Sequence, residues 1–360
     1  MPSKRLQQIL LISVLLTTTC LLVRPYLLIP PSALSANDAA PDADLPRPHH
    51  HDYLPEAEAE ALCAQHDLRP WRERNQGRKI YDMIPFSTEL DWLEIRMHEL
   101  DSQVDYFVIV ESTETFTGQP KPLHFANHYA NFARFAPKIL YHALDLSPLR
   151  HNSTWEREAY TRNALFTAIF PSLLGAARPN ADDVLLVSDA DEIPRPETLT
   201  LLRNCITPPR VTLRSRFYYY SFQWHHVGAD WHHPQATVYA GLERTLLPED
   251  LRMNSAGHPT GLDLGNASWH CSSCFARVAE LVQKIRGFSH TEYNRPEFVE
   301  PREIVRRVRH GLDLFDRQGQ DYEKVAHVTD VPEYLKLNAR RFAFLLDRDP
   351  ENANFEDYVT

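Results

Sequence analysis

The sequence predicts an α/β fold, a mostly parallel sheet with helices on both faces. Short apolar runs such as Val104 to Val110 and Val184 to Val187 alternate with segments of helical spacing, Leu90, Leu93, Met97 and Leu100 among them. Acidic residues directly follow two of the runs: Glu111 after the first, Asp189 and Asp191 after the second. Open sheets of this class bind ligands outside the carboxyl ends of their strands, so both sets are expected on one rim. The 360 residues, 43% hydrophobic and 24% charged, suffice for one large domain or two. The formal charge of −10 offers no basic stripe for a phosphate backbone, and nucleic acid is not an expected partner.

Taken in order, residues 1–5 carry Lys4 and Arg5, and the 18 residues from Leu6 to Val23 are uncharged, about the minimum to cross a bilayer. Basic residues ahead of the run favour a cytosolic tail (1–5) and an uncleaved transmembrane signal anchor (6–29). The competing reading is a signal peptide cleaved near Ser32-Ala33-Leu34-Ser35-Ala36. Either places the remaining chain in a lumen or outside the cell. Two sequons suit that compartment, Asn152-Ser153-Thr154 and Asn266-Ala267-Ser268. So do four cysteines beyond the anchor, Cys63, Cys205, Cys271 and Cys274, which allow three pairings. Cys271-Ser272-Ser273-Cys274 lacks the second Cys pair of a zinc ribbon, and a structural disulfide is expected. Residues 30–74 read as a disordered stem, Pro-, Ala- and Asp-rich to about Leu62; the triplet His49-His50-His51 has nothing there to fix a metal geometry.

Lys79 to Phe86 reads as the first strand, with Ser87 or Thr88 capping the helix after it. Lys138 to Ala143 is a further strand, and Trp155 to Leu174 a long helix ended by Gly175 and Pro179. These lie in a first half, residues 75–205. The second half, 206–350, differs in texture: Val211 to Trp224 is strand-like and aromatic, and Ala276 to Ile285 is helical. A local echo joins Trp224-His225-His226 to Trp231-His232-His233. The stretch Phe217 to His233 is either a platform for sugar faces or a buried strand.

Asp189-Ala190-Asp191 is the central chemical feature, although its letters alone mean nothing. Asp42-Ala43-Asp44 repeats them and Asp347-Arg348-Asp349 repeats the spacing. Only Asp189 and Asp191 follow a buried strand, where residues i and i+2 of an extended backbone project to one side. Paired carboxylates suit Mg²⁺ or Mn²⁺ shared with substrate phosphates. The alternative is that they cap the helix after Pro194 and Pro196.

The stretch Asp183 to Pro194 (DVLLVSDADEIP) resembles the signature of the bisecting N-acetylglucosaminyltransferase family, glycosyltransferase family 17. Tyr81 to Phe86 with Glu89, Leu90 and Arg96, Val104 to Ser112 with Phe116-Thr117-Gly118, the WHCSSCF segment Trp269 to Phe275, and Tyr334 to Asp347 are similar in the same order. The similarity covers roughly Arg78 to Asp347 and departs at Ser188, where the family's motif often has Asp. The resemblance implies a GT-A-like fold, a Rossmann-type nucleotide-sugar-binding sheet flanked by helices, with 75–205 as the nucleotide-sugar-binding half and 206–350 as the acceptor-binding half. It further implies UDP-N-acetylglucosamine as donor, Mn²⁺ (or Mg²⁺), inversion, a β-1,4 linkage to the core mannose of an N-glycan, and a Golgi type II membrane protein.

In such a reaction a metal across both phosphates stabilises the leaving UDP. Asp191 is the expected direct ligand, Asp189 contacts metal or ribose, and His290, following the helix of the second half, is the candidate third ligand. Glu111, Arg157 and Arg162 are candidates for the nucleotide, although surface ion pairs explain the arginines as well. Inversion requires a base for the acceptor hydroxyl, for which Glu292, Asp263 and His270 are candidates by position. The alternatives are the same fold acting on another acceptor, or a lumenal glycan-binding protein without catalysis.

Overall fold

The computed structural model describes residues 53–73, 77–253 and 260–359. The expected cytosolic tail and anchor, the stem up to residue 52 and the Asp42-Ala43-Asp44 control lie outside the described residues. Among those described, no helix is long and apolar enough to cross a membrane.

The described residues begin with α1 (Glu56–Ala64) and β1 (Arg69–Pro70), then β2 (Ile80–Phe86), α2 (Leu90–Leu100), β3 (Tyr106–Ser112), α3 (His124–Asn127), β4 (Ile139–Leu144), α4 (Thr154–Thr167) and β5 (Val184–Val187). Strands β4, β3, β2 and β5 lie side by side in that order, all parallel. The chain steps outward from β2 to β4, then returns past β2 to lay down β5, so the strand order reverses between β2 and β5. Their carboxyl ends, Phe86 and Val187, flank the switch point where such sheets bind ligands.

Alternation explains why these strands are nearly all apolar. Ile80, Ile84, Phe107, Ile109, Val184 and Leu186 face one core with Trp92, Leu93 and Met97 of α2. Tyr81, Met83, Val108, Val110, Leu185 and Val187 face a second core with Leu165 and Phe166 of α4. Both faces are covered, as parallel sheets require. Helix α4 begins on a capping box, Ser153 with Glu156, and gives way before Leu174 to a tighter turn at Phe170–Ser172, where Pro171 has no N–H to continue the ladder. Helix α2 lacks the expected hydroxyl cap: neither Ser87 nor Thr88 is its N-cap, which is Glu89.

Next come β6 (Glu192–Pro194), α5 (Pro196–Asn204), β7 (Cys205–Ile206), β8 (Val211–Tyr219), β9 (Ser221–His226), β10 (Gln235–Val238), α6 (Pro248–Met253), β11 (Leu262–Ser272), α7 (Val278–Gly287), α8 (Pro301–His310) and β12 (Tyr322–Lys324). Strand β10 runs antiparallel to β5 and carries the sheet on through β8, β9 and β12. The run Val211 to Trp224 is two strands rather than one, because Tyr220 adopts a left-handed backbone (φ 65°) and turns the chain back. Strand β11 pairs parallel with β8 and antiparallel with β6, setting His270 opposite both Phe217 and Glu192.

Two sequence boundaries shift. The stem does not extend to residue 74: α1 buries Ala59 and Cys63, β1 pairs with β7, and a Cys63–Cys205 disulfide fastens both to the body. The division at 205/206 falls inside β7, and one sheet takes strands from both halves.

Candidate functional site

At the end of β5 the chain leaves the extended conformation at Ser188, turns through Asp189 to Asp191, and reverses into β6. A buried guanidinium holds that turn. Arg96 of α2 bonds Asp82 of β2 through Nε (2.7 Å) and Nη2 (2.5 Å), donates through Nη1 to the carbonyls of Asp189 (2.8 Å) and Glu192 (2.7 Å), and through Nη2 to Ser188 Oγ (2.6 Å). Neither Arg96 nor Asp82 is exposed to solvent, so the pair costs desolvation that its many hydrogen bonds must offset. What it contributes is position, since one rigid fork ties α2, β2 and both ends of the turn together.

Within the turn Asp189 and Asp191 are held by different cations. Asp189 receives Arg162 Nη1 of α4 on Oδ1 and Arg252 Nη2 of α6 on Oδ2, both at 2.7 Å. Arg162 also binds Glu158 (2.8 Å) and Glu249 (3.0 Å); Arg252 forks onto both oxygens of Glu192 (2.9 and 3.1 Å). Burial alone raises the pKa of Asp189, but the two guanidinium groups outweigh it and hold the carboxyl well below its usual range. Glu192, fully buried, is likewise lowered because Arg252 outweighs burial.

Asp191 faces a different cation. Its Oδ2 lies 3.0 Å from Lys284 Nζ of α7, and Nζ lies 3.8 Å from Glu89 Oε1. Burial disfavours the charged ammonium, but Asp191 and Glu89 outweigh it and push its pKa above the usual lysine range. On the other side, His270 Nδ1 approaches the Asp191 carbonyl (3.3 Å) and Oδ1 (3.7 Å). The imidazole packs against both Phe217 (centroids 5.0 Å apart) and Trp231 (4.7 Å), whose own rings lie 5.5 Å apart, and Trp231 Nε1 donates to Glu192 Oε1 (2.6 Å). His233, beside Trp231, is pushed down to about 4 by burial and then by Arg252, which keeps it neutral.

The site therefore gathers Asp189, Asp191, Arg162 and His270, but not the other candidates. Glu111 is fully buried at the end of β3, its oxygens accepting from Phe125 N (3.0 Å), Ala126 N (3.3 Å) and Tyr141 (3.2 Å), with Lys121 at 3.7 Å; it anchors α3 and, with no surface exposed, presents nothing to a nucleotide. Arg157 ties down the loop after β3 through Glu114 (2.7 Å) and the Thr115 carbonyl (3.1 Å). His290 pairs with Glu292 (2.7 Å) on an exposed turn beside Trp155, and among the described residues no ion pair or hydrogen bond joins either of them to Asp189 or Asp191. Asp263 is bound to Arg214 at the far end of β11, seven residues and about 23 Å of strand from His270. The Asp347-Arg348-Asp349 control behaves as a control, with Asp349 in a surface pair with Lys324. Asn152 and Asn266 are exposed, and the remaining cysteines pair as Cys271–Cys274.

Sequence reasoning missed Arg252 and Lys284 and gave Glu192 no role. The Trp-His-His echo did mark Trp231, whereas no local pattern singles out an arginine on the six-residue α6. Among the described residues no three His, Cys, Asp or Glu side chains form a ready metal cluster. The donor set nevertheless suits a divalent cation at one carboxylate. Asp189, Asp191, Glu192, Glu158, Glu249 and Glu89 outnumber Arg162, Arg252 and Lys284, and only the cation on Asp191 is a single flexible ammonium.

Fold and site together define an open α/β protein with a charged side-chain cluster at its topological switch point. The chain belongs to glycosyltransferase family 17, whose model matches residues 5–351. It is 30% identical over 311 residues to the human beta-1,4-mannosyl-glycoprotein 4-beta-N-acetylglucosaminyltransferase, covering 76% of this chain and 56% of that one. The rat protein of the same name is 28% identical over 318 residues, 78% of this chain and 57% of that one. The chain thus spans just over half the length of these curated relatives. Among solved structures, the mannosyltransferase PcManGT of Pyrobaculum calidifontis, in complex with GDP-Man and Mn²⁺, overlays with a TM-score of 0.34 at 15% identity, over 71% of this chain and 75% of that one. A likeness that loose adds nothing to the argument.

Proposed function

We propose that this chain transfers N-acetylglucosamine from UDP-N-acetylglucosamine, with inversion, to a mannose of an N-linked glycan, forming a β-1,4 linkage. We place it in the Golgi lumen on a type II membrane anchor, and assign it a GT-A-like catalytic body. The observation that carries this reading is the charged cluster around Asp189 and Asp191, at the switch point of a family 17 chain. The names of the relatives speak of an N-acetylglucosaminyl group and a mannosyl-glycoprotein, which support the transferred sugar and the acceptor of this reading.

Asp191 is the residue that would hold Mn²⁺ (or Mg²⁺), which would supply positive charge to the departing diphosphate. The chain's own groups do the rest. Arg162 and Arg252 fix Asp189 in one orientation, from which it contacts the donor rather than migrating towards the cation. His270 is the base: with Nδ1–H donated to the Asp191 carbonyl, the lone pair lies on Nε2, which takes the proton of the acceptor hydroxyl. Phe217 and Trp231, packed against the ring and against each other, hold it in place.

The test is UDP release by the purified protein with a panel of UDP-sugars, with and without Mn²⁺, beside Asp191→Ala and His270→Gln. Turnover of UDP-N-acetylglucosamine that requires the metal and is lost in both variants supports the assignment. A folded protein that binds glycans but turns over no donor would instead be a lectin-like relative.

A further inference from the structure

We propose that Lys284 is an exchangeable counter-ion: it occupies the cation position at Asp191 while the site is ligand-free, and a divalent cation enters only by displacing it. The inference rests on the metal reading above and concerns this chain's own residues.

The argument is a contrast between neighbouring carboxylates. The Asp191 side chain is only 8% exposed, and a carboxylate so buried is costly without a partner. A cation must therefore be present before any ligand arrives, and Lys284 Nζ at 3.0 Å is that cation. Asp189 is held quite differently. Two planar forks grip it, and each is bonded to other carboxylates, Glu158 and Glu249 for Arg162 and Glu192 for Arg252. Freeing Asp189 means breaking several charge-assisted bonds at once; freeing Asp191 means breaking one.

Lys284 also has the means to leave. It stands in the last turn of α7 on a flexible four-carbon stem, with a quarter of its side chain exposed. Glu89 Oε1, 3.8 Å from Nζ, gives the displaced ammonium a carboxylate to move to, and the face of Phe275 lies 5.4 Å away. Meanwhile Asp191 Oδ1 meets only the edge of His270, at 3.7 Å. The exchange is thus one cation for another at a single carboxylate, while the Asp189 clamp stays closed.

The experiment measures Mn²⁺ binding to the full-length chain in mild detergent, without nucleotide, by the paramagnetic resonance of free Mn²⁺. Lys284→Met should bind Mn²⁺ at least about tenfold more tightly than the wild type, equivalent to 1.4 kcal/mol, and Lys284→Met/Asp191→Asn should lose the gain. Lys284→Arg should bind more weakly, because a guanidinium is harder to dislodge. If Lys284→Met folds poorly without metal, Mn²⁺ should raise its melting temperature more than it raises that of the wild type. Equal Mn²⁺ affinity in the wild type, Lys284→Met and Lys284→Arg would sink the displacement while leaving the metal site standing. The same ranking is expected for Mn²⁺-dependent binding of UDP, which supplies the phosphate ligands, and binding by none of them in either the presence or the absence of UDP would overturn the metal reading and this inference with it.

Discussion

Replacing Arg252 by Met should destabilise the protein through one residue, Glu192, and in a way that depends on pH. Glu192 is fully buried, and in the wild type it keeps Arg252 on both oxygens along with Trp231 Nε1 and the Asp189 N–H. Without the guanidinium two neutral donors remain for a buried charge, and loss of one partner of a buried pair typically costs about 3–5 kcal/mol. A cheaper escape caps the cost. Glu192 can take a proton, which at pH 7 costs a carboxyl of ordinary pKa 4.5 about 3.4 kcal/mol, at 1.36 kcal/mol per pH unit. The expected deficit at pH 7 is therefore roughly 3 kcal/mol, or a melting temperature lower by about 6 °C. The sign follows from linkage. In Arg252→Met the folded pKa of Glu192 rises above its unfolded value, so stability is lost as pH rises and recovered as it falls; at pH 5 the proton costs less than about 1 kcal/mol. Urea unfolding of wild type, Arg252→Met and Arg252→Met/Glu192→Gln at pH 5 and pH 7 tests this. The double variant should be more stable than the single one at pH 7 and nearly equal to it at pH 5. A deficit of the same size at both pH values would show that Glu192 is not the residue through which Arg252 acts.

Three further outcomes are expected. Cys63→Ser/Cys205→Ser opens a link of sequence separation 142, and chain entropy sets the loss at about 5 kcal/mol, against roughly 2 kcal/mol for Cys271→Ser/Cys274→Ser at separation 3; unfolding of the two double variants should rank them in that order. Glu280 of α7 is raised to about 7, first by burial and then by Asp91, so its stabilising protonated form is lost between pH 4.5 and about 7; Glu280→Gln should flatten the fall in stability over that window. Trp231→Phe keeps a ring on His270 but removes the donor to Glu192, so it should lower stability by about 1–2 kcal/mol and leave the stacking geometry intact, which a crystal structure of the variant would show.

The parallel half was legible because its signals are local. An apolar run too short for a helix gave β3 and β5, and the acid after β5 marked the switch point. The same rule overreached at Glu111: a strand end says where a carboxylate sits along the sheet, not whether its oxygens turn outward or inward, and Glu111 turns in to anchor Phe125 and Ala126. The second half resisted for the opposite reason. Strand β11 carries exposed Asp263 and Asn266 before the buried stretch from Ala267 to Cys271, and it is a strand only because β8 and β6 lie on either side of it. Arg252 and Lys284 reach the site from helices remote in sequence, and no spacing rule links them to residues 189–191.

The departure at Ser188 can now be placed. Its hydroxyl accepts from Arg96 Nη2, and Arg96 already has the full carboxylate of Asp82. An aspartate at 188 would put a second buried negative charge on a guanidinium that is saturated, next to Asp189 and Glu192. A serine satisfies the same donor without adding charge, and it touches neither the Asp189 clamp nor the Asp191–Lys284 pair. The motif therefore divides by what each position faces. Position 188 serves the fold through Arg96, position 189 is immobilised by two arginines, and position 191 alone is held by a cation that can leave. That order of partners, more than the Asp-Ala-Asp letters, distinguishes the site from the chemically similar triplet at 347–349.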